Sequence, residues 1–105
     1  MPLTIKKSKQ GFKRYVARDE KRTIHFADRR YRNYVLMNDP NSKYYEPNKE
    51  EREKTRSAYR KRHAGDNLNN PFSPGALSYY LLWSAPTLKG GAKEYEKKFN
   101  IKVLF

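Results

Sequence analysis

Four short runs set cationic side chains beside aromatic rings: FKRY at 12–15, RRYRNY at 29–34, KYY at 43–45 and AYRKRH at 58–63. Arg and Lys neutralise phosphate or carboxylate charge, and a Tyr ring offers a flat face on which a base or sugar stacks. The mixture therefore suits a nucleic acid or another polyanion. The same residues also have a plainer use, because a guanidinium over a Tyr ring is an ordinary surface contact. Arg29, Arg30, Arg32, Arg56, Arg60, Lys61 and Arg62 are the side chains expected to meet phosphate or acidic groups. Behind them stands a formal charge of +13, from 24 Lys plus Arg against 11 Asp plus Glu. The excess is steepest in residues 1–32, which hold eleven bases and three acids. A field of this sign attracts nucleic acid, acidic protein surfaces and anionic lipid headgroups.

Other chemistries find less support. There is no cysteine, so disulfides, thiolate catalysis and Cys-based zinc sites are excluded. Zinc takes about four ligands, most often Cys or His, and His25 and His63 are the two histidines of the chain. His25 is expected on a strand surface, and His63 near a helix C-terminus where its charge suits the dipole. No nucleophile elbow and no paired acidic motif is present. Lys89-Gly90-Gly91 lacks the loop length and trailing Lys-Ser/Thr of a phosphate-binding loop. Asp19, Glu20 and Asp28 sit among bases and read as local charge balance. The expectation is a non-enzyme without metal, cofactor or small-molecule substrate.

The elements that must position these residues follow from patterning. The 105 residues are read as one domain, 1–105. Hydrophobic residues are 36% of the chain, so the core must rely on the rings that make up 14%. Leu3 and Ile5 alternate with Thr4 and Lys6 as in an edge strand, and MPLTIKKSKQ has no apolar core of signal-peptide length. FKRYVAR and RTIHFAD are β-prone runs joined by DEK, a hairpin in which Ile24 and Phe26 share the inward face. Tyr34 to Met37 reads equally as strand or helical turn. Asn48 before Glu50 and Glu51, with Arg60 to Arg62 near the end and Gly65 beyond, predicts a charged helix. Its apolar stripe is little more than Ala58 and Tyr59.

No charged residue occurs between Asp66 and Lys89. Within that tract Ser73-Pro74 opens a helix and Pro86 closes it. Its run of about eight apolar residues is too short for a bilayer, which needs ~20, so it is expected to be the central buried helix. Thr87 caps a third helix in which Leu88, Ala92, Tyr95 and Phe99 recur at helical spacing, with Gly90 and Gly91 allowing close packing on the helix before it. NIKVLF reads as a last strand. The fold class is thus α+β, a small antiparallel sheet from the N-terminal strands plus a C-terminal strand. About three helices, 48–64, 74–84 and 88–99, pack with it. The expected core is Ile24, Phe26, Leu77, Leu81, Trp83, Tyr95 and Phe99.

TIHF at 23–26, EEREKTRSAYRKRH at 50–63 and NNPFSPGALSYYLLWSAPTLKGGAKEYEKKF at 69–99 resemble an uncharacterised family. Its members are small basic proteins of large nucleocytoplasmic DNA viruses, of the chlorella-virus and mimivirus kind. The matching landmarks are His25-Phe26, Arg62-His63, Gly75-Ala76-Leu77-Ser78, Leu82-Trp83, Ala85-Pro86-Thr87, and Tyr95 with Phe99, spread over residues 23–101. Ala27 stands where the family pattern has Gly, the segment 27–46 is richer in Tyr, and Tyr80 replaces a second Trp. The resemblance implies a virus-encoded protein packaged in the particle, present in host cytoplasm or nucleus during assembly. It would be neither secreted nor membrane-spanning. Expected partners are other virion or capsid proteins, with double-stranded DNA or anionic lipid headgroups as alternatives. No catalytic or binding residue carries over.

Overall fold

The computed structural model, which describes residues 2–105, begins with three strands, β1 (Leu3–Lys7), β2 (Lys13–Arg18) and β3 (Thr23–Asp28). They pair as an antiparallel meander, with Ile5 opposite Ala17 and Ala17 opposite Ile24. Strand alternation then puts Leu3, Ile5, Ala17 and Phe26 on one face, and these belong to the core cluster. Thr4, Lys6, Arg18 and His25 take the opposite face. His25 Nδ1 lies 2.7 Å from the buried Ser8 hydroxyl there.

A fourth strand, β4 (Val103–Leu104), completes the order β3-β2-β1-β4 and makes an α+β fold. The all-antiparallel sheet expected from the sequence is corrected on this point, because β4 runs parallel to β1, with Leu3 opposite Val103. The Leu3 amide donates to the Lys102 carbonyl at 2.8 Å. Alternation of Ile101, Val103 and Phe105 marks extended chain but carries no information on direction. Only a tight hairpin forces antiparallel pairing, and β4 arrives after a long helical crossover. Phe105 is 46% exposed and lies past the strand end.

Four helices follow β3. The ambiguous stretch 34–37 is a single helical turn, α1 (Tyr34–Met37), because the Asn33 side chain accepts the Leu36 amide and holds the turn closed. Next is α2 (Lys49–His63), capped by Asn48, whose side chain accepts the amides of Glu50 and Glu51. The Ser73 hydroxyl accepts the Ala76 amide to start α3 (Pro74–Leu82), which ends two residues short of the expected boundary with Trp83 as its C-cap. Thr87 accepts the Gly90 amide to start α4 (Leu88–Phe99), and Asn100 closes it in the left-handed conformation at φ 56°. No helix among the described residues is long and apolar enough to cross a membrane.

The charge-free tract folds inward. Ala76, Leu77, Leu81 and Leu82 of α3 are buried, joined by Phe26, Trp83 and Tyr95. Ile24 and Phe99, expected in the core, are half-buried at its edge instead. Tyr34 and Met37 are buried, and the turn of α1 brings them in. Helices α3 and α4 cross so closely that a Cβ built on Gly91 would sit 2.7 Å from the Leu81 carbonyl carbon and 2.8 Å from the Tyr80 oxygen. Real Cβ atoms do not approach backbone that closely, so the crossing requires glycine at 91.

Tyr95 is fully buried and donates its hydroxyl to the Pro71 carbonyl at 2.6 Å. Burial, the larger cause in each case, pushes the phenols of Tyr95 and Tyr59 up to about 12. An unfolded chain releases such protons near pH 10, about the ordinary value for tyrosine. The folded chain keeps them until about 12, so this contribution to stability is complete below pH 10 and is lost as pH rises from there. Absorbance titration at the phenolate band should show Tyr59 and Tyr95 ionising last, together with a falling melting temperature. Simultaneous ionisation of every tyrosine in a still-folded chain would contradict the burial argument.

Candidate polyanion surface and cleft

Arg29, Arg30 and Arg32 gather where β3 runs into the loop before α1. The loop is tied down from two sides. From β2, Arg14 donates to the carbonyls of Arg29 and Tyr31 at 3.1 and 3.2 Å. From the far side the Tyr44 hydroxyl donates to the Arg30 carbonyl at 3.2 Å. The Arg29 amide donates to the Phe12 carbonyl at 2.8 Å, and its guanidinium bonds the carbonyl of Gly11, whose φ of 49° makes the tight turn before β2. Arg30 lies 4.2 Å over the Phe12 ring and pairs with Asp28 at 2.7 Å. Its hydrogen bonds hold the Asp28 carboxyl down at about 2. Phe12 and Tyr31 are 58% and 66% exposed, so this tip presents rings as well as charge. The Arg32 guanidinium has no hydrogen bond or ion pair among the described residues.

On α2 the expected set divides. Arg56 donates to the Trp83 and Ser84 carbonyls at 3.0 and 2.7 Å, and Arg60 adds a bond to the Trp83 carbonyl at 3.3 Å. The Trp83 carbonyl is that of the α3 C-cap, which a helix leaves unsatisfied, and Ser84 lies just past it, where the dipole also favours a cation. Arg56 and Arg60, read from the sequence as phosphate contacts, thus fasten α2 to the end of α3. Each also lies against a ring, Arg56 5.3 Å from Tyr34 and Arg60 4.3 Å from Tyr79. Lys61 and Arg62 remain exposed. Spacing on a helix marks the face a side chain occupies but not which acceptors another element brings to it.

Between the loop after β3, α2 and the end of α3 lies a cleft of about 550 Å³. The α2 side is a stripe at helical spacing, Glu51, Lys54, Thr55, Ala58, Tyr59 and Arg62. Tyr31, Arg32 and Asn33 face it from the loop, with Ser78, Leu82 and Trp83 from α3. Tyr59 and Trp83 stack with centroids 3.9 Å apart and planes 3° apart, and His63 lies 4.2 Å from Tyr59 on a tilted plane. His63 is also paired with Asp66 at 2.7 Å. Glu51, three residues after the Asn48 cap, lines the cleft. Ala27, on the cleft wall, holds φ at 62°. That left-handed conformation costs a non-glycine residue roughly 1–2 kcal/mol.

Among the described residues, acids lie within ion-pair distance of Arg22, Arg30 and His63, and no three His, Asp or Glu side chains converge as a metal site would need. Most of the positive charge is thus uncompensated at the surface. No protein-family profile, curated protein or solved structure matches the chain. The cleft was not foreseen from the sequence. The stripe 51-54-55-58-59-62 was legible, but a half-polar helix face reads as solvated unless something is known to stand opposite it.

Proposed function

We propose that this chain is a non-enzymatic structural protein of a large DNA virus particle, a minor capsid or internal component. It docks by charge on acidic capsid subunits or another polyanionic surface. The observation that carries this reading is the uncompensated charge, +13 with histidine neutral and two Arg–Asp ion pairs among the described residues. The cations are held on ordered elements: Arg29 and Arg32 on a pinned loop, Lys61 and Arg62 on the last turn of α2. Rigid cations lose little freedom on docking, which favours a fixed seat in an assembly. The virion setting is supported by the landmarks shared with the viral family, and crosslinking within purified particles tests it. Fixed stoichiometry and crosslinks from Lys61 to a capsid subunit are expected; absence from particles rejects the reading.

A second reading is an organiser of packaged DNA, favoured by the exposed Phe12 and Tyr31 beside the cations. Duplex binding measured across salt concentrations separates the two. If DNA is the polyanion, log affinity should fall linearly with log salt, and Arg29→Ala/Arg32→Ala/Arg62→Ala should reduce the slope by roughly two to three. A slope unchanged by all three substitutions removes DNA as the partner of this surface.

A further inference from the structure

Helix α2 runs for 15 residues and buries none of them. A helix in so small a domain ordinarily lays an apolar stripe on the core. This one is fastened through Arg56, Arg60 and Tyr59, and its Lys54–Ala58–Arg62 face stands off over the open cleft. The space, about 550 Å³, is within the rough range of 300–1,000 Å³ typical of small-ligand sites. Its lining is chemically divided. Arg32, Lys54 and Arg62 are exposed and bring three positive charges. The lining carboxylates are Glu51 and Asp28, and Asp28 is already engaged by Arg30. Tyr59 has Trp83 on one side and His63 close by, so Tyr31, two-thirds exposed, is the ring with a free face.

We propose that this cleft binds one nucleoside phosphate, free or as a unit of a single strand, with the base between Tyr31 and the Tyr59–Trp83 pair and the phosphate on Arg32, Lys54 and Arg62. A planar base can stack on the free face of Tyr31 with the Tyr59–Trp83 pair closing the cleft behind it, and stacking of this kind tolerates any base. Phosphate needs cations at the rim that are not already engaged, and Arg32, Lys54 and Arg62 have no acceptor of the sort that holds Arg56 and Arg60. The site goes beyond the surface-docking reading and stands or falls separately, because it depends on shape as well as charge.

The test uses Trp83, the one tryptophan of the chain and part of the cleft wall. Its emission is followed during titration with AMP, a short oligoadenylate, an equivalent duplex and inorganic phosphate. AMP and oligoadenylate should change it saturably, and inorganic phosphate should bind at least about tenfold more weakly. Tighter binding of the oligoadenylate identifies a strand as the source; equal binding identifies the free nucleotide. Ala58→Phe leaves the net charge unchanged and fills the cleft from an exposed position, so it should weaken AMP by about tenfold or more without altering the fold. Lys54→Ala should weaken AMP as well, whereas Lys93→Ala/Lys97→Ala on exposed α4 positions should stay within about twofold. Three results overturn the proposal: AMP binding no tighter than inorganic phosphate, Ala58→Phe binding like the unaltered protein, or the α4 double variant losing as much as Lys54→Ala. Arg32 and Arg62 serve both sites, so Ala58→Phe separates them: AMP binding lost with duplex or capsid-subunit binding kept shows the cleft to be distinct from the docking surface.

Discussion

Gly91→Ala is expected to lower unfolding free energy by about 3 kcal/mol, the upper part of the usual range for overpacking a core. The added methyl would meet the Leu81 and Tyr80 carbonyl groups, which are backbone and have no rotamer to escape into. Relief requires α4 to slide away from α3, and that would unseat Ala92 and Tyr95 on the same face of α4. A domain of this length has roughly 5–15 kcal/mol in total, and each kcal/mol shifts melting by about 4–8 °C. A fall on the order of 15 °C in a circular-dichroism melt is therefore expected. Gly65→Ala is the control, since a Cβ there meets open space at ordinary φ and should change melting little. If both variants melt alike, the helix crossing is looser than described.

Arg56→Ala is the second large effect, with an expected loss of about 2 kcal/mol, from charge-assisted bonds worth roughly 1.5–3 kcal/mol when a buried partner is left unsatisfied. The Ser84 carbonyl would lose its donor, the Trp83 carbonyl would keep only the longer bond from Arg60, and α2 would lose its main fastening to α3. Arg56→Lys distinguishes this from charge alone. A lysine keeps the cation but cannot reach both carbonyls with a planar fork, so it should recover less than half of the loss. Full recovery by lysine would mean that the dipole, not the two-pronged bond, is what matters. Duplex or polyanion affinity, measured well below the melting point, should be unchanged by either substitution, because this guanidinium is not available to a ligand.

Much of the scaffold was legible because local signals agreed with one another. Asn48, Ser73 with Pro74, and Thr87 each start a helix where capping chemistry puts it, and the all-round apolar run of the charge-free tract marks a buried helix. Positions governed by distant partners were less legible. Arg56 and Arg60 look like Lys61 and Arg62 in sequence, and the difference is the end of α3, which arrives from more than twenty residues away. The direction of β4 and the half-burial of Ile24 and Phe99 are likewise decided by what packs beside them. The cleft is the extreme case. It is an absence of packing, so no single residue announces it, and Ala27 with its left-handed backbone is the one local trace on its wall.

The seam between Leu3 and Val103 carries a kinetic consequence. While the chain is being synthesised, the meander can assemble early, yet that margin of β1 stays bare until β4, which follows all four helices, has been made. Pairing across so long a separation is slow, and an unpaired strand margin recruits other strands. Lys6 and Lys7 on that strand would then serve as guards during the wait, repelling a second nascent copy until the closing segment arrives.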